Sequence, residues 1–195
     1  MMSEYQLYIP SADGYQAFLD RLKKEKPTGL KREEKFLNDF LNKPGNIDGE
    51  TVKNRIEKLN NYYSTRLSKP TQSEIAEFIL QSDFDERLDR DDYGLVDELR
   101  YAHNKIKKDG KKYDYFSFAS KYCHHCRPDK YPIYDSVNVR VFNVLFGYTD
   151  NRKYGEYVAC FKKFCSILGY NELKHNEGFY IDKYIQAIGG NHELL

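Results

Sequence analysis

The sequence predicts an all-α protein folded as one domain. Apolar side chains recur at helical spacing along most of the 195 residues, and the alternation typical of strands is not sustained. The chain is 40% hydrophobic and 15% aromatic, enough to bury one sizeable core but cramped for two full domains. We therefore expect a bundle of about eight to ten helices, with a short extended segment at the N-terminus in YQLYIP.

Three amphipathic stripes predict the first helices. Their apolar residues are Tyr15, Phe18, Leu19 and Leu22, then Phe36, Leu37, Phe40 and Leu41, then Val52, Ile56, Leu59, Tyr63 and Leu67. Thr71 and Glu74 form a capping-box pattern before the next stripe, and Pro70 is expected to end the preceding segment. Helical spacing continues through Leu95, Leu99, Ala102 and Ile106 to the loop KKDGKK.

The second half of the chain contains clear helix boundaries. Asp114 is expected to cap a helix from about residue 115 to 126, which Pro128 and Pro132 terminate. Asp135 precedes SVNVRVFNVLF at an N-cap position, and this helix carries a stripe formed by Val137, Val141, Val144 and Leu145. Two later stripes stop at Gly169 and at Gly189 and Gly190, since glycine is favoured just after a helix. The domain thus comprises N-terminal helices in 1–45, a core in 50–146 and C-terminal helices in 150–195.

Several classes of protein are disfavoured by what the sequence lacks. It has no run of about 18 apolar residues and no signal-peptide pattern, which predicts a cytoplasmic protein with no membrane partner. Its four cysteines are too sparse for a disulfide scaffold, so we expect free thiols. The patterns GxGxxG, Walker A and GxSxG do not occur, which disfavours nucleotide-binding proteins and serine hydrolases.

Charge is distributed unevenly although the net charge is only +1. Residues 83–98 hold eight acidic side chains and two arginines, whereas residues 100–140 hold ten Lys and Arg against four Asp. The local excess of positive charge is a candidate surface for a polyanion such as DNA. A solvated basic loop between Lys107 and Lys112 would explain the same excess.

The sequence Cys123-His124-His125-Cys126 has the C-x-x-C spacing of zinc and dithiol sites. On a helix the two cysteines would share a face, while the adjacent histidines would point elsewhere, so the four side chains would not surround one ion. A second half-site of the usual spacing is absent from the sequence. We therefore expect buried thiols, no metal and no other cofactor.

Lys121 and Asp135 lie close together in SFASKYCHHCRPDKYPIYDSVNVRVF, residues 117–142. Spacing alone favours structural roles, since a helix lysine is usually solvated and aspartate is a preferred N-cap. However, GKKYDYFSFASKYCHHCRPDKYPIYDSVNVRV resembles a segment of the helix-hairpin-helix DNA glycosylase superfamily. That segment carries a catalytic lysine on one helix, then a P-x-D or P-x-x-D turn with an aspartate opening the next helix. The similarity is closer to the 8-oxoguanine glycosylase-like branch and its small bacterial relatives than to endonuclease III, and covers most of 50–146.

The resemblance implies a DNA-glycosylase-like orthogonal bundle and roles for individual residues. Lys121 would be the Schiff-base nucleophile and Asp135 its electrostatic partner. Asn60 and Asn61 fall near the positions at which the superfamily has polar residues that reach into the DNA lesion site. In a protein that acts on DNA, Lys130 and Arg140 are the candidates for phosphate contacts.

The sequence also departs from the superfamily. SFAS replaces the glycine-containing hairpin that binds a DNA phosphate, the interval from Lys121 to Asp135 is shorter than usual at 14 residues, and the iron-sulfur cysteines are missing. The expected function is excision of a damaged or modified DNA base, with lyase activity at the resulting abasic site. The alternatives are a non-catalytic nucleic-acid-binding module and a helical interaction protein.

Overall fold

The computed structural model describes residues 9–25, 27–41, 45–46, 48–174 and 176–190. Within these ranges the protein is an all-α bundle, which confirms the predicted fold class. Its ten helices are α1 (Ala12–Glu25), α2 (Thr28–Leu41), α3 (Gly49–Tyr63), α4 (Lys69–Gln81), α5 (Phe84–Asp89), α6 (Gly94–Leu99), α7 (Phe116–Cys126), α8 (Ser136–Phe146), α9 (Tyr154–Ile167) and α10 (Glu177–Ile188). Most of YQLYIP, predicted as an extended segment, lies outside the described residues.

Local sequence signals fix several helix ends as predicted. Asp135 is the N-cap of α8, as predicted. The N-cap of α7 is Tyr115, one residue after the predicted Asp114, whose Oδ1 atom accepts a hydrogen bond from Phe116 N at 3.1 Å. Gly169, just after α9, has a φ of 88°, a left-handed conformation that glycine adopts without a Cβ clash.

The predicted start of α4 is wrong by several residues. Ser68 is the N-cap, its hydroxyl accepting from Thr71 N at 3.4 Å, and Pro70 lies inside the first turn, where its missing N–H costs nothing. The Glu74 carboxylate does not close a capping box. It accepts instead from the backbone and side-chain nitrogens of Asn104, each at 3.0 Å, and so connects α4 to a distant loop.

Two predicted helical stripes are also incorrect. α6 ends at Leu99, so Ala102 lies beyond it and Ile106 forms an isolated antiparallel bridge with Lys112. In α8 the buried face carries Asn138, Val141 and Phe142, whereas Val144 is 59% exposed. The polar Asn138 belongs to this face because it hydrogen-bonds to buried partners on α10 and in the preceding turn.

Buried apolar side chains from all ten helices form one contiguous cluster. Tyrosine is prominent in it: Tyr122, Tyr131, Tyr154, Tyr157 and Tyr184 are each at most 1% exposed. α10 packs against both α1 and α8, and α7 packs against α2, α3 and α6. None of the described helices combines the length and apolarity needed to cross a membrane.

Candidate functional site

Lys121 projects from α7 into a partly buried position beside α3. Its ammonium donates to Ser117 Oγ at 2.7 Å and lies 4.8 Å from the centre of the Tyr63 ring. Burial lowers the pKa of Lys121, and the nearby carboxylates of Asp135 and Asp182 oppose this shift. Among the described residues, no carboxylate lies within ion-pair distance of its amine.

Asp135 uses its two carboxylate oxygens differently. Oδ1 accepts from the backbone nitrogens of Val137 and Asn138 at 2.9 Å each, which is the N-cap interaction of α8. Oδ2 accepts from Gln186 Nε2 at 3.3 Å. The capping function therefore uses one oxygen, and the other faces α10.

The turn before Asp135 is held by hydrogen bonds to its backbone. Tyr154 OH donates to the Pro132 carbonyl at 2.6 Å, and Asn138 Nδ2 donates to the Ile133 carbonyl at 3.1 Å. Tyr134 N donates to Ser120 Oγ at 3.1 Å, which connects the turn to α7, one residue from Lys121. These bonds fix the position of Asp135 relative to the lysine helix.

α10 adds charged residues that the sequence interpretation missed. Asp182 is completely buried and accepts from Asn138 Nδ2 at 2.6 Å and Gln186 Nε2 at 2.8 Å. Lys183, 5% exposed, lies 3.8 Å from the Asp182 carboxylate and 2.9 Å from that of Glu33 on α2. Burial raises the pKa of Asp182 to about 7, although the Lys183 ammonium acts in the opposite direction.

A sequence signal for this cluster exists in EGFYIDKYIQAI. Asp182 and Lys183 stand between Ile181 and Tyr184 in a helix whose other central positions are largely apolar. Charged residues are almost never fully buried unless they are paired. Adjacent charges inside an apolar helix therefore indicate a buried polar site, but not its partners.

The four predicted nucleic-acid-binding residues lie in different settings. Lys130 forms an ion pair with Asp91 at 2.8 Å and donates to the Asp89 carbonyl at 2.8 Å, whereas Arg140 is exposed on α8. Asn60 Oδ1 accepts from Leu67 N at 2.9 Å and from Thr65 Oγ1 at 2.8 Å, which closes the turn after α3. Leu67, predicted to extend that helix, lies in this turn.

Asn61 is exposed and lines a cleft of about 420 Å³ between α2 and α3, together with Arg32, Phe36, Asp39, Phe40, Thr51, Asn54, Arg55, Lys58 and Tyr62. Phe36 and Tyr62 stack with ring centres 4.4 Å apart, and the Tyr62 ring lies 4.8 Å from that of Tyr63. Because Lys121 lies over Tyr63, aromatic rings connect the cleft to the lysine.

The acidic segment 83–98 neutralises part of the basic segment that follows it. Arg127 pairs with Asp89 at 2.6 Å, and Arg100 pairs with Asp97 at 3.2 Å, in addition to the Lys130 pair. These cations are therefore already bound to carboxylates of the same chain, so the net excess overstates the positive charge available to a polyanion.

The side chains of the CHHC sequence have separate partners. His124 Nδ1 contacts the Tyr131 carbonyl at 2.8 Å, and His125 Nε2 contacts Tyr63 OH at 2.9 Å. Cys123 and Cys126 are buried free thiols. Burial lowers the pKa of His124 to about 4 and that of His125 well below its usual value, so both rings are neutral at pH 7.

The HI_0787_N family, described as an N-terminal domain, matches residues 13–130, more than half of the chain. The chain belongs to this family. The HI_0787_N match includes Lys121 but ends before Asp135 and helices α8 to α10. An uncharacterized protein of Haemophilus influenzae is 40% identical over 88 residues, which cover 45% of this chain and 41% of that protein.

The matched stretch thus spans less than half of the Haemophilus relative. No solved structure matched the chain. Neither the family nor the relative links the chain to helix-hairpin-helix DNA glycosylases, so that resemblance stays a prediction.

Proposed function

We propose that this protein acts on DNA as a base-excision glycosylase and abasic-site lyase, with Lys121 as the Schiff-base nucleophile. The observation that supports this most is the state of the Lys121 amine. It is partly buried, it donates to a neutral hydroxyl, and within the described part of the chain it forms no ion pair. Lys130 and Lys183, by contrast, each lie within 2.9 Å of a carboxylate.

The chemistry requires a lysine that can lose its proton. Only the neutral amine is nucleophilic, and the lowered pKa of Lys121 increases that fraction at a given pH. The Lys121 nitrogen would bond to the sugar C1′ as the bond from C1′ to the base breaks and the base leaves with its electron pair and gains a proton. Loss of the amine proton and opening of the sugar ring then give the imine.

Asp135 would stabilise the positive charge that develops on the sugar. Its carboxylate is close enough to raise the pKa of Lys121, and the N-terminus of α8 stabilises its negative charge. After imine formation, β-elimination would break the bond from C3′ to its phosphate oxygen. A proton would leave C2′ in that step, and the strand would be nicked.

A non-catalytic nucleic-acid-binding module is the second candidate, and one observation favours it. SFAS forms residues 117–120 inside α7, so helix occupies the place of the superfamily's glycine-containing hairpin. A protein of this kind would bind DNA without releasing a base. The exposed Arg140 and the cleft that carries Asn61 are the surfaces we assign to DNA in both proposals.

Borohydride trapping on duplexes that carry an abasic site or 8-oxoguanine tests the proposal. We expect a covalent adduct with the native protein and its loss by at least about 100-fold in Lys121→Gln, since the nucleophile is removed. Lys162→Gln is the matched control, because Lys162 is also a helix lysine over a tyrosine ring, at 5.3 Å from Tyr93. It should trap like the native protein.

If the native protein forms no adduct on either duplex, the enzymatic proposal is rejected. Salt-dependent retention on DNA would then select the binding module. Indifference to DNA at low salt would select a helical interaction protein.

A further inference from the structure

One side-chain amide connects α10 to the Asp135 carboxylate. Gln186 Nε2 donates both to Asp135 Oδ2 at 3.3 Å and to Asp182 Oδ2 at 2.8 Å. Asp135 Oδ1 accepts from the first backbone amides of α8, and within the described residues Gln186 is the side chain that donates to Oδ2. The amide thus binds the oxygen that the N-cap does not use.

Asn138 makes a second bridge between the same two carboxylates. Its backbone nitrogen donates to Asp135 Oδ1 at 2.9 Å, and its Nδ2 donates to Asp182 Oδ1 at 2.6 Å. Both oxygens of Asp182 are thus bound by residues that also donate to Asp135. Asn138 and Asp182 are each 0% exposed, so this arrangement is held inside the core.

An N-cap alone does not require these residues. Bringing a second carboxylate near Asp135 raises the energy of both charges, and burying it adds a desolvation cost. Apolar residues at positions 182 and 186 would pack against α8 without that cost. The arrangement is explained if the direction of the Asp135 carboxylate matters for the neighbouring lysine.

We propose that Gln186, held by Asp182, is a positioning residue that sets the orientation of the Asp135 carboxylate beside Lys121. This inference rests on the proposed function, in which Lys121 is the nucleophile. It also means that residues beyond the HI_0787_N match, on α8 and α10, complete the site of a lysine that lies within it.

The charges around Asp182 make the positioning depend on pH. Lys183 lies beside it on α10, and the charges of Asp135 at the N-cap of α8 and of Glu33 on α2 act on it. Tyr157 on α9 interacts with its charge as well. The Lys121 ammonium on α7 also interacts with it. Burial raises the pKa of Asp182 to about 7, so the side chain is protonated below that pH. The protonated form accepts a weaker hydrogen bond from the Gln186 amide and therefore holds the amide less firmly.

Single-turnover trapping on an abasic duplex between pH 5 and 9 tests this proposal. Gln186→Met keeps the side-chain length but removes the amide, and should slow trapping by about 10- to 100-fold because the carboxylate is misdirected. DNA affinity should change less than twofold, since the amide touches no DNA phosphate in this scheme. Asp182→Asn should remove the step near pH 7 from the trapping profile and leave the lysine step at higher pH.

Gln16→Met is the matched control, because Gln16 is an exposed helix residue that donates to Asp20 at 3.0 Å. It should trap like the native protein across the pH range. Thermal unfolding of each variant shows whether it is folded. If Gln186→Met does not fold, Asp182→Asn, which keeps the side-chain shape, still tests the inference.

A second measurement separates this inference from the proposed function. NMR titration of the lysine side chains reports the pKa of Lys121 without any reaction. Because Asp135 raises that pKa, Gln186→Met should lower it and leave Lys130 unchanged. If Gln186→Met has the same Lys121 pKa and the same trapping rate as the native protein, the inference is overturned. If the native protein does not trap but Gln186→Met still lowers the pKa of Lys121, only the proposed function is overturned.

Discussion

Burial changes the pKa values of Asp182 and His124 in opposite directions. It raises the pKa of Asp182 to about 7 and lowers that of His124 to about 4, in each case because the charged form loses its hydration. The two shifts act on stability with opposite signs over the same pH range. A pH profile of the native protein alone would therefore partly cancel them, so each residue has to be isolated by substitution.

The unfolding free energy of Asp182→Asn, relative to that of the native protein, should increase as pH rises. The folded pKa of about 7 exceeds the unfolded value of 3.8, so the native state holds a proton that the unfolded chain has released, and native stability falls as pH rises between these values. The substitution removes that fall, a relative gain of roughly 4 kcal/mol in unfolding free energy from pH 4 to pH 8. Urea denaturation of both proteins at the two pH values measures it. A difference independent of pH would contradict the prediction.

At the scale of the element, α10 is fitted closely to the turn that precedes Asp135. A Cβ at Gly178 would overlap the Pro128 carbonyl, and one at Gly189 would overlap Val137 on α8. Both glycines allow close approach of the helix, one at its first turn and one just after its end. This approach places Asp182 and Gln186 within hydrogen-bonding distance of α8.

Alanine at Gly178 should therefore destabilise the protein, by about 1 to 3 kcal/mol, because the added methyl group forces α10 away from Pro128. Gly155→Ala is the matched control. Gly155 is also the second residue of its helix, α9, and its Cβ would meet no atom within 4 Å. That change should stabilise by about 0.5 to 1 kcal/mol through the higher helix propensity of alanine. Urea denaturation at pH 7 compares the two variants, and equal effects would refute the explanation.

For the molecule as a whole, the sequence predicted what depends on neighbouring residues and missed what depends on distant ones. The cap at Asp135 and the helix that carries Lys121 follow from local patterns, and the resemblance brought these two residues together. Lys183 binds Glu33 from 150 positions away, and no local pattern gives that pairing. The buried face of α8 was mispredicted for the same reason, since Asn138 binds Asp182 on α10. The start of α4 is the exception, because its signals are local: Ser68 is the N-cap and Pro70 lies in the first turn.

The same remote contacts lead to a prediction about folding. The HI_0787_N match ends at residue 130, yet α8 to α10 share one buried cluster with the matched helices. α10 contacts α1 and α8, so neither part buries its apolar surface alone, and we expect one cooperative transition. Pulsed hydrogen exchange with mass spectrometry across a urea series reads residues 13–130 and 131–188 separately. Both should lose protection at the same midpoint. The exposed substitution Gln16→Met should leave that agreement intact, whereas loss of protection in 131–188 at lower urea would show that the C-terminal helices fold as a separate unit.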